Sequence, residues 1–172
     1  MNRSTIRIAI TGPESTGKST LAAQLARHYN TLWVPEYART HLELLNRPYT
    51  ANDILLIAQR QLQAEEETAA TTQLLFADTE MIVIKIWYEH FYGPCPNWIN
   101  QAIARNPYRH YLLTFTDLPW IDDPQREHPH LRNHFFNLFL QQVQQTGKPY
   151  TIITGNNRQR FNNAVAVIDQ LL

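Results

Sequence analysis

An α/β fold is predicted, with five parallel strands, helices on both faces and a lid loop. Three observations predict it. Apolar runs of strand length alternate with helix-length segments along the 172 residues. The stretch "GPESTGKS", residues 12–19, satisfies G-x-x-x-x-G-K-[ST] at every fixed position and stands between such a strand and such a helix. A later apolar run, "QLLFAD", ends in Asp78. Strands joined through helices pair in parallel and are covered on both faces.

The elements follow in order. "TIRIAIT" (5–11) is the first strand. Residues 18–29 form the helix after the loop, with Leu21, Ala22, Leu25 and Ala26 on one face. "TLWVPE" (31–36) is a short second strand stopped at Pro35, and residues 38–46 are helical. "YTANDILLIAQRQLQAEEETAA" (49–70) is a long helix capped by Thr50, with Ile54, Ala58 and Leu62 along one face. "QLLFAD" (73–78) is the third strand. "TEMIVIKIWYEHFY" (79–92) has strand-like composition, but its length and its place after a strand make it a helix. "PNWINQAIARN" (96–106) is another helix and "RHYLLTFT" (109–116) the fourth strand. "DLPWIDDPQREHPH" has no apolar period and is a loop. Residues 131–148 form a helix with Phe135, Phe136, Phe139 and Val143 inward and Gly147 ending it. "PYTIIT" (149–154) is the fifth strand, and residues 160–172 are the last helix. The whole reads as a single domain, 1–172, with a lid at about residues 117–133.

Composition narrows the function. Hydrophobic residues make up 44% and charged residues 17%, as in globular proteins, and the formal net charge is zero, so no nucleic-acid surface is expected. The single cysteine, Cys95, forms no internal disulfide and is read as inert in a reducing compartment. No run is long enough to span a membrane, and no secretory signal is evident, so a cytoplasmic location is expected.

The motif at residues 12–19 is that of a P-loop NTPase. Its glycines let the backbone wrap inward so that N–H groups point at phosphates, and the following helix adds its free N–H groups and positive end. Gly12, Pro13, Glu14, Ser15, Thr16, Gly17, Lys18, Ser19 and Thr20 are therefore assigned to ATP. Lys18 is expected to reach the β- and γ-phosphates, and Ser19 to bind Mg²⁺. Guanine-reading N-K-x-D is missing from the chain.

Ligands in such sheets collect at the carboxyl ends of the strands. After strand two, Glu36 is within reach of an acceptor hydroxyl, Arg39 can hold a phosphate or carboxylate, and Tyr37 and Trp33 offer flat apolar area. After strand three, Asp78 has the position of the carboxylate beside Mg²⁺; spacing leaves open whether it serves the metal or takes the acceptor proton, and Glu80 is a third carboxylate. In the lid, Arg126 and Arg132 are expected to neutralise the transferring phosphoryl group, the alternative being pairing with Asp122, Asp123 or Glu127. His128, His130 and His134 are read as solvated loop residues. After strand five, Asn156 and Arg158 or Arg160 are placed at the adenine.

The series "GPESTGKSTL", "PEYAR", "ADTE" and "WIDD" before an arginine-containing lid resembles the ribosylnicotinamide kinase domain of the bacterial NAD-biosynthesis protein NadR, in order and over almost the full chain. The resemblance rests on Gly12, Gly17, Lys18, Ser19, Glu36, Tyr37, Arg39, Asp78, Trp120, Asp122 and Asp123. It implies a nucleoside-kinase-like enzyme that transfers phosphate from ATP to the 5′-hydroxyl of nicotinamide riboside. Some relatives carry an aromatic directly before the Glu-Tyr pair, where this chain has Pro35. Trp33, Tyr37, Trp87 or Tyr88 is then expected to stack on the acceptor. The adenylyltransferase and DNA-binding portions of bifunctional relatives are expected to be absent, because the first strand begins by residue 5. The alternatives are a kinase for another nucleoside or nucleotide, and a regulatory ATPase. Sequence assigns no oligomeric state.

Overall fold

A computed structural model of the chain describes residues 5–105 and 107–172. Five strands form one parallel sheet: β1 (Ile6–Thr11), β2 (Leu32–Val34), β3 (Leu74–Asp78), β4 (Tyr108–Thr114) and β5 (Tyr150–Ile153), in the order β2-β3-β1-β4-β5. Seven helices connect or follow them among the described residues: α1 (Lys18–His28), α2 (Tyr37–Leu44), α3 (Ala51–Ala69), α4 (Met81–Tyr92), α5 (Asn97–Arg105), α6 (Arg132–Gln145) and α7 (Asn157–Ile168). Asn106, the last residue of the expected fifth helix, lies outside the described residues.

The sheet is buried on both faces, which is why its central strands are continuous apolar runs. On one face Ile8, Ile10 and Phe76 pack against Leu21 and Leu25 of α1 and Ala164 and Ile168 of α7. On the other, Ala9, Ala77 and Leu113 meet Ile82 and Ile86 of α4 and Phe136 and Phe139 of α6. Helix α4 has a second layer outside it. Met81 and Ile84 turn toward Ile54 and Ala58 of α3 and Ile99 of α5. A helix sandwiched between two layers is apolar almost all round. That resolves the strand-like composition of residues 81–86.

Several boundaries differ from expectation by a few residues, two of them at the last helix and the second strand. The last helix starts at Asn157, not at residue 160, because Asn156 caps it: its side chain accepts from the Gln159 amide at 3.0 Å while Gln159 accepts from the Asn156 amide at 2.9 Å. The second strand is only three residues long.

Strand β1 pairs with β3 on one side and β4 on the other, so the connections diverge at its carboxyl end. Ile10 lies opposite Asp78, and Thr11 opposite Leu113. The fold thus opens its crevice where the glycine-rich loop begins. No helix among the described residues is long and apolar enough to cross a membrane.

Candidate active site

The loop is held from three directions. Gly12 has φ +137°, and a Cβ there would lie 2.5 Å from Thr114 Oγ1 and 2.8 Å from Thr114 O. Strand β4 therefore presses directly on the loop, and no side chain fits between them. Gly17, at φ +79°, turns the chain into α1. The Thr16 hydroxyl bridges Pro13 O and Thr114 Oγ1, both at 2.7 Å. Beneath them lies the Arg160 guanidinium, 2% exposed, which donates to Thr16 O (3.0 Å), Phe115 O (2.9 Å) and Gly155 O (2.7 Å) and pairs with Asp117. Lys18 Nζ donates to Pro13 O at 2.8 Å, across the hollow of the loop.

Asp78 ends β3, 1% exposed, and neither carboxylate oxygen has a hydrogen-bond partner of ordinary geometry among the described residues. Burial pushes its carboxyl up to about 6; the neighbouring Ser19 hydroxyl opposes this, the Glu36 charge adds to it and the Lys18 ammonium opposes it. A buried carboxylate beside the Ser19 hydroxyl and a phosphate loop suits Mg²⁺, which takes one or two protein oxygens and completes its shell with phosphate and water. No cluster of three or more acidic, histidine or cysteine side chains stands ready for a metal among the described residues.

Glu36 precedes α2 and is half-buried. It is held near Asp78 by a residue that sequence reasoning missed. Gln61, 1% exposed on α3, accepts the Tyr37 amide at 2.8 Å and donates at 3.4 Å toward Pro35 O and Thr79 O. It ties the turn after β2 to the turn after β3. The signal was a glutamine on the inward face that Ile54, Ile57 and Ala58 define. Glu80 turns away from the site. It caps α4, accepting from the Ile82 amide (2.7 Å) and the Thr11 hydroxyl (2.9 Å), and burial pushes it up to about 7.

The segment expected as a lid, about residues 117–133, lies over the loop and runs into α6 at Arg132. Arg126 Nη1 donates to Ile121 O (2.6 Å) and to Ser15 Oγ (3.3 Å). Arg132 donates to Leu118 O (2.9 Å) and Ser15 O (3.0 Å) and rests on the Trp120 ring. Neither arginine pairs with Asp122, Asp123 or Glu127 among the described residues.

Beneath the lid a continuous cavity of about 920 Å³ runs from the loop past Glu36 and Asp78 to an aromatic end formed by Tyr49, Trp87, His90, Phe91 and Phe135. A space of this size fits a ligand beyond the triphosphate. Trp33 and Trp87 line it.

Four expectations need correction. Tyr37 does not line the cavity; it packs among α2, α3 and α4, its ring 6.0 Å from His41. Tyr88 does not line it either and lies 5.5 Å from Tyr92. On α4 each residue is turned about 100° from the last, so Trp87 facing the cavity brings His90 and Phe91 with it and turns Tyr88 away. Arg160 and Asn156 are engaged beneath the loop and at the α7 cap, and Arg160 does not lie over a base. His128 is not solvated: its ring sits 4.8 Å from His90, 5.6 Å from Phe91 and 5.5 Å from Phe135.

A family model described as an AAA domain matches residues 7–160, nearly the whole of this fold. The chain belongs to the AAA domain family. Among solved structures, two are of NadR. One, in complex with NR, has a TM-score of 0.84 at 22% identity and matches 97% of this chain and 51% of its own. The other, in complex with NAD and AMP-PNP, has a TM-score of 0.78 at 20% identity, over 97% of this chain and 49% of its own. This AAA domain thus spans about half the length of those NadR chains. Thymidylate kinase from Ehrlichia chaffeensis matches at 0.69 and 12% identity, over 98% of this chain and 100% of its own. The AAA domain described here accordingly has the P-loop fold of nucleoside and nucleotide kinases, close to NadR.

Two arginines that line the cavity, Arg39 and Arg47, are already engaged. Arg39 is paired with Asp123 at 2.5 Å, and Arg47 holds Asp53 through two bonds of 2.8 and 2.9 Å. Sequence alone assigned Arg39 a phosphate or carboxylate to hold and could not show Asp123, which stands 84 residues away.

Proposed function

We propose that this domain is an ATP-dependent kinase that phosphorylates the 5′-hydroxyl of nicotinamide riboside, giving nicotinamide mononucleotide. The observation that carries this reading is the single cavity in which phosphate loop, Asp78, Glu36 and an aromatic end follow one another. The likeness to NadR, one structure of which holds NR, supports the choice of acceptor. A nucleoside monophosphate acceptor is disfavoured by the engagement of Arg39 and Arg47, since a dianionic phosphate calls for uncommitted cations. Aromatic faces without a free cation suit a flat base, and a pyridinium ring above all.

The residues divide the work by position. Loop amides and Lys18 hold the β- and γ-phosphates. Ser19 and Asp78 are the groups that would hold Mg²⁺, which when bound neutralises charge on the phosphate oxygens. Glu36 orients the riboside so that its 5′-oxygen stands in line with the γ-phosphorus. The new O–P bond forms as the bond to the β-phosphate oxygen breaks; ADP leaves, and the hydroxyl proton passes to a carboxylate, for which buried Asp78 is the candidate. Arg126, carried by the lid, compensates charge on the phosphoryl group. Positioning supplies most of the rate, since the transition state is loose.

The test is ADP formation across a panel of nicotinamide riboside, other nucleosides and thymidylate, with the product identified by mass. Nicotinamide mononucleotide should be the principal product. Turnover unchanged by every riboside would point to a regulatory ATPase, and preference for thymidylate to a nucleotide kinase.

A further inference from the structure

Position alone assigns Arg39 to the acceptor, yet its groups are spent on the lid. Its Nη2 donates to Asp123 Oδ2 at 2.5 Å, and its carbonyl accepts from Gln125 Nε2 at 3.1 Å. Two further ties follow along the same segment. The Glu14 carboxylate, on the phosphate loop, accepts the Glu127 amide at 3.2 Å, and the Tyr49 hydroxyl donates to Glu127 Oε2 at 2.9 Å. Helix α2, the phosphate loop and the turn before α3 thus fasten residues 123–127 from three sides.

What this fastening delivers is specific. Residues 124–128 all line the cavity. Arg126 faces the phosphate loop through Ser15, while His128, two residues on, meets His90 and Phe135 at the aromatic end. One short segment therefore brings one side chain to each end of the cavity.

We propose that Arg39 and Asp123 are a positioning pair that makes residues 124–128 a wall of the acceptor subsite, so that closing the lid and selecting the acceptor are one event. This rests on the kinase reading above. An acceptor whose ring packs against the cluster that His128 forms with His90, Phe91 and Phe135 favours the seated segment, and the seated segment carries Arg126 to the phosphates. Without an acceptor the segment is held only by its ties to Arg39, Glu14 and Tyr49, and the seating of Arg126 rests on them. Binding energy from the base is thereby spent on assembling the reacting centre.

The experiment compares Arg39→Ala, Asp123→Ala and the exchanged pair Arg39→Asp with Asp123→Arg. Each single variant should raise the acceptor KM by about fivefold, the scale of a half-exposed ion pair, and raise the ADP formed per acceptor phosphorylated, with the KM for ATP unchanged. The exchanged pair should recover most of both. Hydrogen exchange of the amides of residues 126–128, measured without substrates, should quicken in the single variants and slow again in the exchanged pair. Single variants with wild-type acceptor KM and wild-type exchange would overturn the proposal, as would an exchanged pair no better than either single. A wild-type protein inert toward every riboside removes the kinase reading and the acceptor wall with it, while the exchange arm still decides whether Arg39 and Asp123 hold the lid.

Discussion

Arg126 reaches the side chain of Ser15, with Nη1 3.3 Å from Oγ, whereas Arg132 reaches only the Ser15 carbonyl, at 3.0 Å. The first lines the cavity and the second lies outside it, on the Trp120 ring. The two should therefore differ on truncation. Arg126→Ala should lower kcat on the order of a thousandfold, as expected of an arginine acting on the transferring phosphoryl group. Arg132→Ala should chiefly weaken ATP binding by loosening the lid. Steady-state kinetics with ATP varied decide this, and equal effects on kcat would end the distinction.

Lys18→Ala should nearly abolish turnover in a folded protein. Its ammonium hydrogen-bonds to Pro13 O among the described residues, so its removal strips charge from the phosphate site without opening the core. Circular dichroism and ADP release, measured together, are the check; most activity surviving would refute the phosphate-loop role.

The two carboxylates should separate. Asp78→Asn keeps the shape and removes the charge at a buried, otherwise unbonded position, and should cut kcat on the order of a hundredfold or more. Glu36→Gln should mainly raise the KM for the riboside and leave ATP binding nearly intact. The reverse pattern makes Glu36 the base.

Glu80 gives a pH prediction independent of turnover. Burial raises its carboxyl from 4.5 to about 7, so the folded state holds a proton that the unfolded chain releases. Stability contributed by the protonated form is complete below about pH 4.5 and is lost as pH rises through about 7, a change of about 3 kcal/mol. In Glu80→Gln that part of the pH dependence should vanish, because the amide cannot ionise. Denaturant midpoints at pH 5 and pH 8 measure it; an equal loss in wild type and variant would assign the slope to other groups.

Much of this was legible in the sequence because local rules are strong where backbone geometry is tight. Gly12 and Gly17 stand where positive φ is needed, and Asp78 ends an apolar run. Side-chain direction on α4 was not legible. Its apolar residues serve two layers, so periodicity cannot say which aromatics face the cavity, and Tyr88 was chosen where His90 and Phe91 face it. Arg160 and Arg39 were misread for another reason. Their partners lie up to 144 residues away, and an arginine with unseen partners looks free.

The placing of β1 at the middle of the sheet also orders events during synthesis. The nucleotide-binding segment, residues 12–20, is made well before its partners, for one of its walls is Thr114 and its floor is Arg160. A nascent chain leaving the ribosome amino end first carries the complete motif long before it owns a site that can grip a triphosphate. Such late assembly requires closure of very long loops, which slows folding. ATP should therefore protect only chains that have emerged past Arg160, and a ladder of stalled chains of increasing length would show the step.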